Sequence, residues 1–493
     1  MNVRAAGTAP LRQAMRPDDA VVVAIDQGSH ATRAVAYDLR GRLLGSAFAN
    51  VDTGRDAPGH VEHDGESLVE GVKDALRELA ALVPAPRWRA SGLAVQRSTV
   101  ACWDRDTGAL LAPVISWQDR RQAAWLGRLE ALARHIHEVT GLPLSPHYGA
   151  SKLRWCIDHV EEVARAHAAG RLCAGPLASL LLARLVEGQP FVADEANASR
   201  TQLWLPLERR WSPELLDLFG VPEAILPRLV PTEGAFGRLA GDGLPGVPLR
   251  VCTGDQSAVP YAAGTLDAGA AYVNLGSGAF ALRPLAQPRL APPLLTSVLR
   301  SDAGQIDFAL EGTVNGAGNA LDWFQHEEGL PTERLLAGLE QAAPTTIDAP
   351  FFLNGVAGLG SPFWVPEFES RYVGQAEPAE RFRAVVESIV FLLRSNLDEL
   401  ALHAGSPQRI VAGGGLARSG FVVRGLAAVT GLPVDRLEDA EATSRGLAFL
   451  AAGQPDSWEP AALTRFAPDA GYGELLQARY RRWRTLLDEA LDH

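Results

Sequence analysis

Two carboxylates set among glycines and hydroxyls are the residues best placed for chemistry. Asp26 closes the apolar run Val21-Val22-Val23-Ala24-Ile25 and is followed by Gln27-Gly28-Ser29-His30, after which a second apolar run returns and ends at Asp38. That pattern is a strand, a tight turn and a returning strand. Past mid-chain Leu249-Arg250-Val251-Cys252 leads into Thr253-Gly254-Asp255-Gln256, and Ala271–Leu275 leads into Gly276-Ser277-Gly278 and a further apolar run. Backbone amides and hydroxyls in such turns suit a phosphate, and a neighbouring carboxylate suits the Mg²⁺ that accompanies it. Glycine and serine also occupy turns for geometry alone. The weight therefore rests on the recurrence, which points to two related halves facing one phosphate. The chain contains no Gly-x-x-x-x-Gly-Lys-Ser/Thr, so a phosphate grip must come from these glycine turns.

The elements that must position these residues alternate between strands and helices. Val21–Asp38 reads as a hairpin, and Leu43–Asn50, Ser91–Gln96 and Val100–Asp104 read as strands. Glu66–Val83 has helical spacing, with Leu68, Val69, Val72, Leu76 and Leu79 on one side, and Arg120–Thr140 and Pro176–Glu187 read as helices. The order predicts α/β layering. A polar, proline-containing stretch at Leu239–Pro248 reads as the approach to a domain boundary. The second half carries the hairpin Ala271–Pro284, helices at Asn315–Glu327, Ala379–Ala404 and Ser419–Thr430, and a strand at Arg409–Ala412. Leu475, Leu476, Tyr480, Trp483, Leu486 and Leu487 form the apolar side of a helical tail. The predicted division is an extension over 1–18, domains over 19–248 and 249–453, and the tail over 454–493.

Composition narrows the function classes. The 493 residues are 47% hydrophobic and 21% charged, ample for more than one buried core. A net charge of −12 argues against nucleic acid or an anionic membrane as partner, while leaving room for a nucleotide in a locally positive pocket. No apolar segment is long enough to span a bilayer, and residues 1–18 lack the apolar core of a secretory signal. Cys102, Cys156, Cys173 and Cys252 are widely spaced in apolar contexts and read as buried, reduced thiols of a cytoplasmic protein. His60 and His63 flank Glu62 without a third ligand at usable spacing and read as structural.

Ordered blocks from about residue 20 to 453 resemble the FGGY family of carbohydrate kinases. They include Asp26-Gln27-Gly28-Ser29, Pro58–Asp64, Gln96-Arg97-Ser98-Thr99, Trp117-Gln118-Asp119-Arg120-Arg121 and Asn197–Thr201. Gly254-Asp255-Gln256, Leu310-Glu311-Gly312, Gly358–Trp364 and Gly413-Gly414-Gly415 complete the series. The resemblance implies two ribonuclease H-like domains, of the actin, hexokinase and heat-shock ATPase type, around a central cleft. It implies transfer of the γ-phosphate of ATP, with Mg²⁺, to a hydroxyl of a small sugar or polyol by a homodimer or homotetramer.

Carried over residue by residue, the resemblance assigns Asp255 as the general base and Asp26 as the holder of Mg²⁺. It places Gly28, Ser29, His30, Arg33, Gly276, Ser277, Gly318, Asp322, Gly414 and Arg418 on the nucleotide, and Arg97, Ser98, Trp117, His147, Asp255 and Gln256 on the acceptor. The fit departs from the family at several points. Ala31 stands where a hydroxyl is common, His30 is unusual, and Ala412 stands where an aspartate is common. The members that phosphorylate glycerol have an arginine–glutamate pair where this chain has Arg97-Ser98, and a tyrosine where it has His147. Loss of the carboxylate predicts a roomier acceptor pocket, suited to a four- or five-carbon polyol or a ketose. Phosphorylation of glycerol itself is the nearest alternative. A non-catalytic nucleotide-binding regulator is the alternative from another class, disfavoured by the retained Asp255.

Overall fold

The computed structural model describes residues 20–241, 244, 246–340, 346–439 and 441–492. The expected extension over 1–18 lies outside them. Two large sheets organise the chain. The first contains β1 (Val21–Gln27), β2 (Ala31–Asp38), β3 (Leu43–Asn50), β4 (Trp88–Val95), β5 (Glu233–Leu239) and β6 (Val247–Gly254). Its spatial order is β3-β2-β1-β4-β6-β5, with β1, β4 and β6 mutually parallel. The second contains β7 (Ala270–Leu275), β8 (Ala279–Leu285), β9 (Leu295–Ser301), β10 (Ile306–Val314), β11 (Arg409–Gly413), β12 (Val434–Leu437) and β13 (Leu463–Phe466). Its order is β9-β10-β8-β7-β11-β12-β13, with β7, β11 and β12 parallel. Without the added edge strand β9 the two sheets match position for position, so the recurrence in the sequence is a repeat of topology.

One expectation is corrected here. The boundary placed at 248/249 falls inside β6, which pairs with β4 and completes the parallel core of the first sheet. The run ending at Asp255 is therefore the third parallel strand of the first half, not the opening of the second. Its β-branched and apolar residues satisfy either sheet locally; only its long-range partner decides.

Helices cover the sheets. α1 (Gly65–Leu82) buries Leu68, Val69, Val72, Leu76 and Leu79, the side expected from its spacing, and Asp64 caps it by accepting from the Ser67 N–H. The single helix expected over Arg120–Thr140 is instead broken into helical turns at Ala123–Leu126 and Ala133–Thr140 with a 3₁₀ stretch at Gly127–Leu132 between them. None of residues 127–132 is buried, so no packing holds that glycine-led segment in α geometry. α2 (Gly149–His159) and α3 (Gly318–Glu328) begin beside the site, and α4 (Pro378–Ala404) backs the second sheet.

α5 (Ala442–Ala451) joins the halves. Its Leu447 and Ala448 share one apolar core with Val22, Ala24 and Ala90 of the first sheet and Tyr272, Leu282 and Val411 of the second. Gly446 is required there, because a Cβ would stand 2.0 Å from the Ala258 carbonyl oxygen. The expected tail is not an appendage. It adds β13 to the second sheet and packs α6 (Ala470–Leu491) so that Arg479 and Trp483 are fully buried. All four cysteines are buried free thiols, and among the described residues no helix is long and apolar enough to cross a membrane.

Candidate active site

The parallel strands β1, β4 and β6 end in register at Gln27, Val95 and Gly254. Their carboxyl ends are where an α/β sheet gathers ligand-binding residues, because the chain leaves the ladder there and frees backbone groups. Asp26 precedes the first of these ends, Arg97 follows the second and Asp255 follows the third.

Asp255 sits at the start of the short helix Asp255–Ala258, where its Oδ1 accepts from the Gln256 N–H at 2.7 Å. Burial raises its proton affinity above the ordinary carboxylate range, and Arg97, with Nε 3.7 Å from Oδ1, tempers that rise. Asp26 is pushed up to about 7 by burial and by the like charge of Asp255, against the opposing pull of Arg33. Two neighbouring carboxylates that resist joint ionisation fit a divalent cation, which would take up their excess charge. Two carboxylates without a closed cage also fit Mg²⁺, which keeps water and phosphate oxygens in its shell. Asp26, the expected holder, could hold such an ion.

Arg97 is fixed by a carboxylate from the other sheet. Its Nη1 and Nη2 each donate to a different oxygen of Glu311 at 3.1 Å. Glu311, on β10, also accepts from Arg200 Nη2 at 2.7 Å and from the Ser297 hydroxyl at 2.5 Å. Burial alone would raise the Glu311 carboxyl, but Arg200 and Arg97 outweigh it and hold it down at about 2. Glu311 and Arg200 belong to blocks visible in the sequence, yet no role was readable for them. The available signal was an acid, Glu311, amid the apolar and small residues Phe308–Val314, since a buried charge demands a partner.

The acceptor residues converge beside this pair. The Trp117 indole N–H donates to Ser29 Oγ at 2.8 Å, and the ring lies 5.5 Å from that of His147, which meets Tyr148 at 5.0 Å. Burial and the surrounding cations Lys152, Arg120, Arg200 and Arg97 keep His147 well below the ordinary imidazole range, so the ring is neutral at physiological pH. Burial pushes Tyr148 up to about 12. The Gln256 side-chain oxygen accepts from Asn274 Nδ2 at 2.9 Å, tying this acceptor candidate to the second sheet.

Ser98 departs from the expected arrangement. Its backbone is left-handed, at φ +67°, and its hydroxyl is enclosed without a hydrogen-bond partner among the described residues. The roomier pocket expected from a serine here is therefore not opened at its hydroxyl: neighbouring protein atoms close over it.

The nucleotide candidates fall into three groups. Gly28, Ser29, His30 and Arg33 stand on the β1–β2 hairpin. There the Ser29 hydroxyl donates to Gln96 Oε1 at 3.1 Å, His30 is exposed, and Arg33 lies 3.7 Å from Glu441. Gly276 and Ser277 meet the N-terminus of α3, with the Gly318 N–H donating to the Gly276 carbonyl at 3.0 Å and the Asn319 N–H to the Ser277 carbonyl at 2.9 Å. Asp322 lies exposed on the same helix. Gly414 adopts φ +94°, and a Cβ on it would come within 2.5 Å of the Leu275 carbonyl oxygen, so only glycine brings the β11 turn this close to the β7 turn. Gly414 and Arg418 line a cleft of about 330 Å³ with Arg436, Leu437, Glu438 and Asp439. His63 faces the Asp52 carbonyl at 3.1 Å and His60 packs edge-on against Trp155.

Comparison with known proteins agrees with this architecture. The N-terminal domain model of the FGGY family of carbohydrate kinases matches residues 21–262, and its C-terminal domain model matches 271–454. The junction thus follows Asp255, as the pairing of β6 requires. A glycerol kinase from Alkalilimnicola ehrlichii is 34% identical over 491 residues, 95% of this chain and 98% of its own. Another, from Allorhizobium ampelinum, is 33% identical over 89% of this chain and 90% of its own. Among solved structures, a Plasmodium falciparum glycerol kinase with ADP superposes with a TM-score of 0.86 at 22% identity, covering 96% of this chain and 98% of its own. A ligand-bound xylulose kinase from Lactobacillus acidophilus gives 0.84 at 19% identity, covering 95% and 98%.

Proposed function

This chain belongs to the FGGY family of carbohydrate kinases, a phosphotransferase with an alcohol acceptor, and on that premise we propose that Asp255 is its general base and a small polyol its acceptor. The observation that carries the assignment is the position of Asp255. It follows the third parallel strand, beside Arg97 and the acceptor candidates, on the edge shared with Asp26 and the phosphate-type hairpin.

In this reading ATP enters with its adenosine in the cleft beside Gly414 and Arg418 and its phosphates toward the β1–β2 and β7–β8 turns. Asp255 takes the proton of the acceptor hydroxyl as that oxygen bonds to the γ-phosphorus. The bond from γ-phosphorus to the β–γ bridging oxygen breaks, and ADP leaves with the electron pair. A raised proton affinity suits Asp255 to the role while Arg97 keeps it ionisable. Mg²⁺ beside Asp26 would supply charge neutralisation for the phosphates.

The closed surroundings of Ser98 favour an acceptor at the short end of the range, and the relatives named glycerol kinase agree with a three-carbon triol. A second reading, a four- or five-carbon polyol or ketose, rests on the missing carboxylate at Ser98, which leaves fewer bonds to a small triol. A panel of glycerol, erythritol, xylitol and xylulose followed by ADP release separates them. Highest kcat/KM on glycerol supports the first reading, and a larger acceptor turned over faster replaces it with the second. Turnover of none overturns the acceptor assignment.

A further inference from the structure

Only two lysines occur among the 46 lysines and arginines of this chain, Lys73 and Lys152. Lys152 stands in the first turn of α2 and is 1% exposed. Its Nζ donates to the Ser98 carbonyl at 2.9 Å and to the His147 carbonyl at 2.5 Å. These are the two positions at which the acceptor pocket departs from an arginine–glutamate and tyrosine arrangement. Neither side chain holds itself in place by hydrogen bonds of its own: the Ser98 hydroxyl has no partner, and the His147 ring is placed by aromatic contacts with Trp117 and Tyr148. Ser98 also occupies a left-handed backbone conformation that an L side chain adopts reluctantly, so its peptide needs an external hold.

We propose that Lys152 is a positioning residue for acceptor specificity: one side-chain amino group gathers the Ser98 and His147 peptides, and thereby holds the closed Ser98 turn behind the pocket and sets where the His147 ring faces the acceptor. The choice of residue follows from donor geometry. A lysine amino group is a compact donor that can serve two carbonyls converging from different segments, whereas a guanidinium fork is planar and longer. Lys152 acts through those peptides and takes no part in proton transfer. The inference rests on the acceptor reading of Ser98 and His147 and does not depend on which polyol is used.

Two measurements test it. Lys152→Met and Lys152→Arg, assayed as folded proteins, should raise the acceptor KM about 10- to 100-fold. They should leave the KM for ATP unchanged and alter the ratio of kcat/KM for glycerol over xylitol. An unchanged acceptor KM and ratio overturn the proposal, as does an equal rise in both KM values, which marks general damage. The second measurement uses the unaltered protein, so it holds even where a variant does not fold. With ¹³C-lysine the two Cε signals are assignable by Lys73→Arg. The Lys152 signal should shift on adding glycerol, or the fastest panel acceptor, and not on adding ADP alone. No shift at acceptor concentrations that support turnover overturns the inference while the proposed function stands. A chain that turns over no panel member removes the acceptor assignment and this inference together.

Discussion

Arg97 and Glu311 form a two-pronged ion pair between the two halves of the molecule, each guanidinium nitrogen meeting its own carboxylate oxygen at 3.1 Å. Arg97 follows a strand of the first sheet and Glu311 lies within a strand of the second. The pair places Arg97 Nε 3.7 Å from Asp255, so the environment of the proposed base depends on a carboxylate from the other half. Both side chains are nearly sealed, with 9% and 1% exposure, so water does not screen the contact.

Breaking this pair has a large expected cost. Glu311→Ala leaves Arg97 and Arg200 buried without their anion and should destabilise the fold by about 3–5 kcal/mol. The Glu311 contribution has a pH signature. Its folded value of about 2 lies below the ordinary 4.5, so the stability it gives is present above 4.5 and is lost as pH falls toward 2. Denaturant titrations of wild type and Glu311→Gln at several pH values check both; parallel curves would refute the assignment.

Replacing Asp255 by Asn should preserve folding and nucleotide binding while lowering kcat about 10²- to 10⁴-fold, the scale of a general base. Because burial raises the Asp255 proton affinity, the acid limb of the wild-type kcat/KM profile should lie above the ordinary carboxylate value of 3.8. Near-normal turnover of the variant would remove Asp255 from the mechanism.

Asp26 predicts the opposite pH dependence from Glu311. Its value rises from 3.8 unfolded to about 7 folded, so without a cation it costs stability progressively as pH rises through that interval. Asp26→Asn should therefore melt higher than wild type at pH 8 and show little difference at pH 4. Added Mg²⁺ should stabilise wild type increasingly above pH 7 and fail to stabilise the variant. Thermal melts with and without Mg²⁺ read both effects, and equal Mg²⁺ responses would move the metal site elsewhere.

Ser98→Gly tests the left-handed backbone. Glycine accepts φ +67° without the side-chain penalty, and the lost hydroxyl has no partner. The substitution should be neutral or stabilising by up to about 1 kcal/mol. A loss of more than that in urea unfolding would show that the serine side chain supports the fold after all.

The chain by itself determined what depends on near neighbours. Apolar runs broken by glycine and serine turns made the β1–β2 and β7–β8 hairpins legible, helical spacing gave α1 its buried side, and glycines marked the close turns at Gly276 and Gly414. The order of motifs identified the family and with it the aspartate assigned as base. Tertiary structure decided what depends on partners distant in sequence. β6 belongs to the first sheet because its backbone pairs with β4, a choice that its own residues do not encode. The C-terminal segment is core because Arg479 finds Glu387 at 2.6 Å and Trp483 finds the Phe352 carbonyl at 2.9 Å, contacts that turn an amphipathic helix into a buried one. Ser98 looked like an opening and is a closed, left-handed position held from behind by Lys152, because a side chain's surroundings are set by whichever segments fold over it. Local pattern fixes backbone preference over a few residues. Burial, ion pairing and proton affinity are sums over the whole neighbourhood, and that neighbourhood exists only once the two sheets have met.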